Sequence, residues 1–102
     1  MLANHIAWAA GLFEGEGYAG LYEHGPRIGI EMTDKDVIES FIEVFGIQRN
    51  IRCRERPNRK PLYIVEYSSK RDVRSILSKI LPHLHSRRAH KALDILDSLE
   101  CS

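Results

Sequence analysis

The sequence predicts an α+β fold in which helix-strand-strand occurs twice and is followed by further helices, the order αββαββα. Three observations predict it. Apolar residues recur at helical spacing in four stretches, near residues 4–14, 34–45, 73–81 and 84–99. They alternate with polar residues, as in half-buried strands, at 18–23, 27–33, 50–56 and 62–67. Gly25-Pro26, Gly46, the segment 57–61 and Pro82 punctuate these stretches.

At 102 residues the chain is expected to form a single domain, residues 1–102, near the size at which a partner subunit commonly adds stability. Cys53 and Cys101 match neither a disulfide framework nor a metal spacing and read as free thiols. No signal peptide and no apolar run long enough to span a bilayer is evident, so a soluble intracellular protein is expected. The net charge of +1 hides an asymmetry. Residues 1–48 carry two basic residues against eight acids, −6, and residues 49–102 carry thirteen against six, +7. This division suggests a basic surface for a polyanion beside an acidic, metal-binding corner.

The first helix is expected from an Asn4 N-cap to about Glu14, with Ile6, Trp8, Leu12 and Phe13 for the core. Ala3, Ala7, Gly11 and Gly15 recur every four residues and form a stripe stripped of side-chain bulk. Gly in a helix costs about 0.8–1 kcal/mol relative to Ala, so two of them need a reason, and close packing against a second helix supplies one. Glu14 and Glu16 place two carboxylates at the negative end of the helix dipole, where a bound divalent cation would remove the penalty.

A strand follows with Ala19 and Leu21 on one face and Tyr18, Gly20, Tyr22 and His24 on the other. Gly25-Pro26 reads as the turn into a second strand that buries Ile28, Ile30 and Met32 and turns Arg27, Gly29, Glu31 and Thr33 outward. Thr33 or Asp34 caps the second helix, with Val37, Ile38, Phe41, Ile42 and Phe45 inward, and Gly46 ends it. In the third strand Arg52, Arg54 and Arg56 share a face that must meet water or phosphate, followed by a basic turn bearing Arg59 and Lys60 between Pro57 and Pro61. The fourth strand turns Tyr63, Val65 and Tyr67 inward and Glu66 outward. Val73, Ile76, Leu77, Ile80 and Leu81 mark a third helix closed by Pro82, and a fourth carries Leu93, Leu96 and Leu99 as its stripe. His83, His85 and His90 lack the companions of a zinc site.

The stretch Ala9 to Gly17, AAGLFEGEG, resembles the defining motif of the LAGLIDADG homing endonucleases, and the element order resembles that family's over nearly the whole chain. The resemblance extends to Met32-Thr33-Asp34-Lys35-Asp36, like the family's strand-to-helix junction, and to Leu81–Arg88, like its Leu-x-Pro-x-Leu-x-x-Lys segment. It implies a four-stranded antiparallel sheet with helices on one face and DNA on the other. It also implies a homodimer joined through Ala7, Ala10, Gly11, Glu14 and Gly15, with Glu16 as the ligand of Mg²⁺ or Mn²⁺, Asp34 organising water and Glu14 usually structural. The family's Lys falls on Arg87, which stays charged and could stabilise a phosphorane-like transition state but hardly shuttle a proton.

Hydrolysis of a phosphodiester needs an activated water, in-line geometry and neutralised charge on both oxygens, which carboxylate-held Mg²⁺ supplies. A two-fold dimer would cut each strand of a palindromic or near-palindromic duplex once. Arg52, Arg54 and Arg56, with Tyr18, Tyr22, His24, Arg27 and Glu31, are the natural reading heads on double-stranded DNA, joined by Arg59 and Lys60. A catalytically silent DNA-binding regulator, or a maturase with RNA as partner, is the alternative on the same fold. A third reading takes the chain as half of a heteromeric or once-fused protein.

Overall fold

The computed structural model describes residues 2–100. Cys101 and the side chain of Ala3 lie outside the described residues. The elements run α1 (Leu2–Glu16), β1 (Gly17–Tyr22), β2 (Gly25–Met32), α2 (Lys35–Phe45), β3 (Arg52–Arg54), β4 (Leu62–Tyr67), α3 (Lys70–Ile80), a 3₁₀ turn (Leu81–His83) and α4 (Ser86–Glu100). The strands form one antiparallel sheet in the order β1-β2-β4-β3, with Ile28 opposite Tyr67 and Ile30 opposite Val65 in its centre.

The core lies between this sheet and the helices. Ile28, Ile30, Val65 and Tyr67 supply the sheet side, Phe13, Ile38 and Phe41 face them from α1 and α2, and Val73, Ile76, Leu77, Ile80 and Ile95 complete it from α3 and α4. Each such side chain gains roughly 1.5–3 kcal/mol on burial. The Phe41 and Phe45 rings meet edge to face at 5.1 Å, a geometry that their quadrupoles favour. The Tyr67 hydroxyl, taken into the core, donates a 2.8 Å hydrogen bond to the Ile47 carbonyl.

Several local expectations are corrected. Helix α1 starts before Asn4, so Asn4 is an exposed helical residue and not the cap. Trp8, expected in the core, is 43% exposed, and Ala9 and Ala10 are fully buried in its stead. The β1–β2 turn is Glu23-His24, a two-residue hairpin loop, because Tyr22 already pairs with Gly25. Gly25 takes φ 121°, which suits the close of such a turn and few other residues. Strand β3 has three residues instead of seven. Arg56 has left it and folds back, its Nε and Nη2 donating to the Lys60 carbonyl at 3.1 and 2.7 Å. In α4 the buried stripe is Ala92, Ile95 and Leu99, while Leu93 is 44% exposed.

Gly46 ends α2 in the left-handed region at φ 66°, and Ser69 caps α3 by accepting the Asp72 N–H at 3.1 Å. Among the described residues no helix is long and apolar enough to cross a membrane.

Candidate functional site

The chain passes from α1 to β1 without a connecting residue, and Gly17 makes this possible. A Cβ there would lie 2.5 Å from both the Phe13 carbonyl oxygen and its ring, so the first residue of the strand is seated directly on the last turn of the helix. The two acids that flank this junction separate in role. Glu14 is half-buried and its Oε1 accepts a 2.6 Å hydrogen bond from the His85 backbone N–H at the start of α4. Glu16 is exposed and makes no hydrogen bond or ion pair among the described residues. No basic residue stands in the last turn of α1 to offset either.

Asp34 occupies the N-cap position of α2 with extended backbone, φ −101° and ψ 98°, yet its side chain makes no capping bond. The carboxylate is exposed and free to bind water. Arg87 is exposed in the first turn of α4, and its neighbour Arg88 turns inward, its guanidinium 5.6 Å over the Phe13 ring and its buried Nε without a hydrogen-bond partner among the described residues. Sequence reasoning passed over Arg88, because adjacent basic residues on a helix cannot be told apart until the helix is docked. Among the described residues no three His, Cys, Asp or Glu side chains of the chain gather as a metal centre.

One face of α1 has no partner among the described residues. Asn4, Ala7, Trp8, Gly11 and Gly15 are exposed together, and a Cβ added at Gly11 or Gly15 meets nothing within 4 Å. Nothing among the described residues requires these glycines. Ala10, expected at the dimer contact, is instead fully buried in the chain's own core and has no surface to offer. Beside the stripe, His5, Trp8, Ser40, Glu43 and Val44 line a groove of about 400 Å³.

The other side of the sheet is polar. Tyr18, Gly29 and Glu66 stand in one cross-strand row, and the Tyr18 hydroxyl donates a 2.7 Å hydrogen bond to Glu66 Oε2. Its ring crosses Gly29, where a Cβ would come within 2.6 Å of the hydroxyl. Burial, and next the hydrogen bond to Glu66 and its charge, push the Tyr18 phenol far above its ordinary pKa, so it remains a donor. Arg52 Nη2 lies 4.0 Å from Glu66 Oε2, and Arg54 Nη2 lies 3.5 Å from Glu31 Oε1. These four charged residues border an open depression of about 390 Å³ with Tyr18, Cys53 and Ile64.

Around it, the Arg27 guanidinium stacks 5.1 Å over the Tyr22 ring, His24 stands exposed in the hairpin loop, and Arg59 and Lys60 are exposed beyond β3. Arg49, which sequence reasoning did not select, donates from Nε to the Glu66 carbonyl at 2.8 Å and ties the segment before β3 to β4. The structure thus gathers Tyr18 and Arg52 at Glu66, sets the Arg54–Glu31 pair on the border of the same depression, and holds Arg56 apart by its contact with Lys60.

A model of the LAGLIDADG-like domain matches residues 4–81 of the chain. No curated protein matches the chain by sequence. Among solved structures, the homing endonuclease I-CvuI, in complex with the I-CreI target and Mg with the DNA not cleaved, is similar with a TM-score of 0.75 at 16% identity. That likeness covers 97% of this chain and 68% of that one. The homing endonuclease I-TnaI is similar with a TM-score of 0.69 at 17% identity, over 93% and 71% of the two chains. The group I intron-encoded homing endonuclease I-CeuI, complexed with DNA, is similar with a TM-score of 0.64 at 15% identity, over 95% and 54%. At these identities the likeness is one of fold.

Proposed function

Because this chain belongs to the LAGLIDADG family, we propose that it is a site-specific, divalent-metal-dependent DNA endonuclease that acts as a homodimer on double-stranded DNA. Residues 1–102 would serve as one endonuclease domain. The observation that carries this reading is the pairing, on one helix, of a glycine stripe that nothing among the described residues needs with a carboxylate at the stripe's end, Glu16, that has no partner among them. Two copies of α1 packed through Ala7, Gly11 and Gly15 would bring two Glu16 carboxylates together at the sheet end of the helices. Their mutual repulsion favours a cation between them. The related structures that contain DNA, one of them with Mg, support the same choice of partners.

Glu16 presents hard oxygen donors of the kind that Mg²⁺ or Mn²⁺ takes, and it has no competing cation among the described residues. When bound, the metal would neutralise phosphate charge and lower the pKa of attacking water. The chain's own side chains do the rest. The Asp34 carboxylate, unused as a cap, accepts hydrogen bonds from water and orients it. The Arg87 guanidinium places a fixed positive charge where charge develops on the phosphate, without giving up a proton. The outer sheet face, with its arginines and the exposed Arg59 and Lys60, lies along the duplex.

The test is to select cleaved sites from a randomised duplex library with Mg²⁺, then to run gel-shift and nicking assays on the selected site. Glu16→Gln should abolish cleavage and keep binding. Full cleavage by Glu16→Gln would remove Glu16 from the mechanism. Wild-type binding without cleavage under any divalent ion would assign the chain to DNA-binding regulators instead.

A further inference from the structure

Two ion pairs on the outer face of the sheet share one construction. Arg52 stands opposite Ile64 and leans by one row to Glu66. Arg54 stands opposite Leu62 and leans in the same direction by one row, passing over β4 to reach Glu31 on β2, which is itself opposite Ile64. Ile64 lies beneath, on a face that otherwise meets solvent, and is only 5% exposed. The arginine side chains are 64% and 58% exposed. Ion pairs so open to water add little to stability. Their consequence is orientation. Glu66 is itself held by the Tyr18 hydroxyl, and Arg49 fixes the Glu66 backbone.

A loose arginine on a basic surface takes the nearest phosphate, whatever the sequence. An arginine tethered to a carboxylate does not, because the carboxylate repels the phosphate oxygens. Resting on the reading that DNA lies on this face, we propose that Glu31 and Glu66 determine specificity. Each holds its arginine as a base reader, and each Arg–Glu pair takes one G·C base pair. The guanidinium donates two hydrogen bonds to guanine O6 and N7, and the carboxylate accepts one from cytosine N4. An A·T pair offers the guanidinium only single acceptors, so one partner is left unmatched. Arg52 and Arg54 are separated by two strand residues, about 6.7 Å. That is close to two base steps of about 3.4 Å. The half-site therefore contains two G·C pairs with one intervening position that neither pair reads.

The experiment is selection of bound duplexes from a randomised library, with Ca²⁺ in place of Mg²⁺, for wild type, Glu31→Gln and Arg54→Lys. Wild type should select two G·C positions per half-site, spaced by two. Glu31→Gln and Arg54→Lys should each lose roughly five- to hundredfold of the preference at one and the same position and keep the other. In Glu31→Gln, binding to random duplex should stay level or rise, since a repelling charge is gone. If the variants bind DNA with unchanged base preferences, or lose preference at different positions, the inference is overturned and the DNA-binding reading stands. A wild type that binds no duplex overturns both. Glu66→Gln with Arg52→Lys supplies the same comparison at the second position, should Glu31→Gln fail to fold.

Discussion

Glu14 Oε1 accepts a 2.6 Å hydrogen bond from the His85 N–H, joining the end of α1 to the start of α4 across 71 residues of sequence. Each helix end carries the charge its own dipole disfavours. Glu14 and Glu16 stand at the negative end of α1, Arg87 and Arg88 at the positive end of α4, and neither turn contains a compensating residue of its own. Docked together, each end supplies what the other lacks: the carboxylate meets an unsatisfied N–H, and Arg88 lies over Phe13, one turn before Glu16. Glu14→Ala is expected to lower stability by about 1–2 kcal/mol, read as a lower urea midpoint. Glu16→Ala, with no partner to lose among the described residues, should leave the midpoint nearly where it was. Equal midpoints for the two variants would refute this division of roles.

Gly11→Val introduces side-chain atoms into space where a Cβ meets nothing within 4 Å. The chain is therefore expected to keep its fold while losing its partner. Sedimentation should give a folded monomer where wild type gives a dimer, and an unchanged dimer would remove the stripe from the interface.

Gly17→Ala is the contrasting case, because its Cβ would fall 2.5 Å from the Phe13 carbonyl oxygen and ring. Backbone and a buried ring cannot both give way cheaply, and the expected loss is about 1–3 kcal/mol. Thermal melts should show a fall for Gly17→Ala and none for Gly15→Ala, measured in the isolated chain, since that Cβ meets nothing within 4 Å.

Duplex binding should weaken steeply with ionic strength, by about 0.9 in log-log slope for each phosphate neutralised. Arg59 and Lys60 are exposed and make no ion pair among the described residues, so Arg59→Ala and Lys60→Ala should each shallow that slope by about one phosphate. Arg52→Ala and Arg54→Ala should lower affinity for the selected site while changing the slope little, because both arginines are held by carboxylates. A salt-independent affinity would move the DNA to another surface.

Burial, and then the charge of Asp72, push the Tyr67 phenol up to about 12 from its ordinary 10. The folded state thus holds this proton more tightly than the unfolded state does. The stability this confers is complete below pH 10 and is lost as the pH rises toward 12. Tyr67→Phe loses the bond to Ile47 and should be less stable at neutral pH, yet its stability should fall less steeply between pH 10 and 12. Parallel denaturation curves for the two proteins over that range would contradict the assignment.

Periodicity makes the element order and most of the core legible in the amino-acid sequence, because the side-chain periods of helix and strand follow from local backbone geometry. Ile28 and Ile30 alternate with Arg27 and Gly29, and Val73, Ile76, Leu77 and Ile80 keep helical spacing, so their burial can be read directly. The glycine stripe and the paired acids of α1 are legible for a different reason: they oppose local propensity, and residues placed against propensity point to a partner outside the segment. What periodicity cannot contain is which neighbour an element receives. Trp8 is exposed and Ala10 buried because α1 docks by its Ala9–Ala10–Phe13 side, against α2 and α3 as well as the sheet. Arg56 leaves the row of Arg52 and Arg54 because β3 has only three residues paired to β4 before the chain turns back to Lys60. The Glu14–His85 bond and the Arg54–Glu31 pair depend on strand order and helix docking, and these come from burying one apolar face of every element at once, a condition on the whole chain that no local window of sequence expresses.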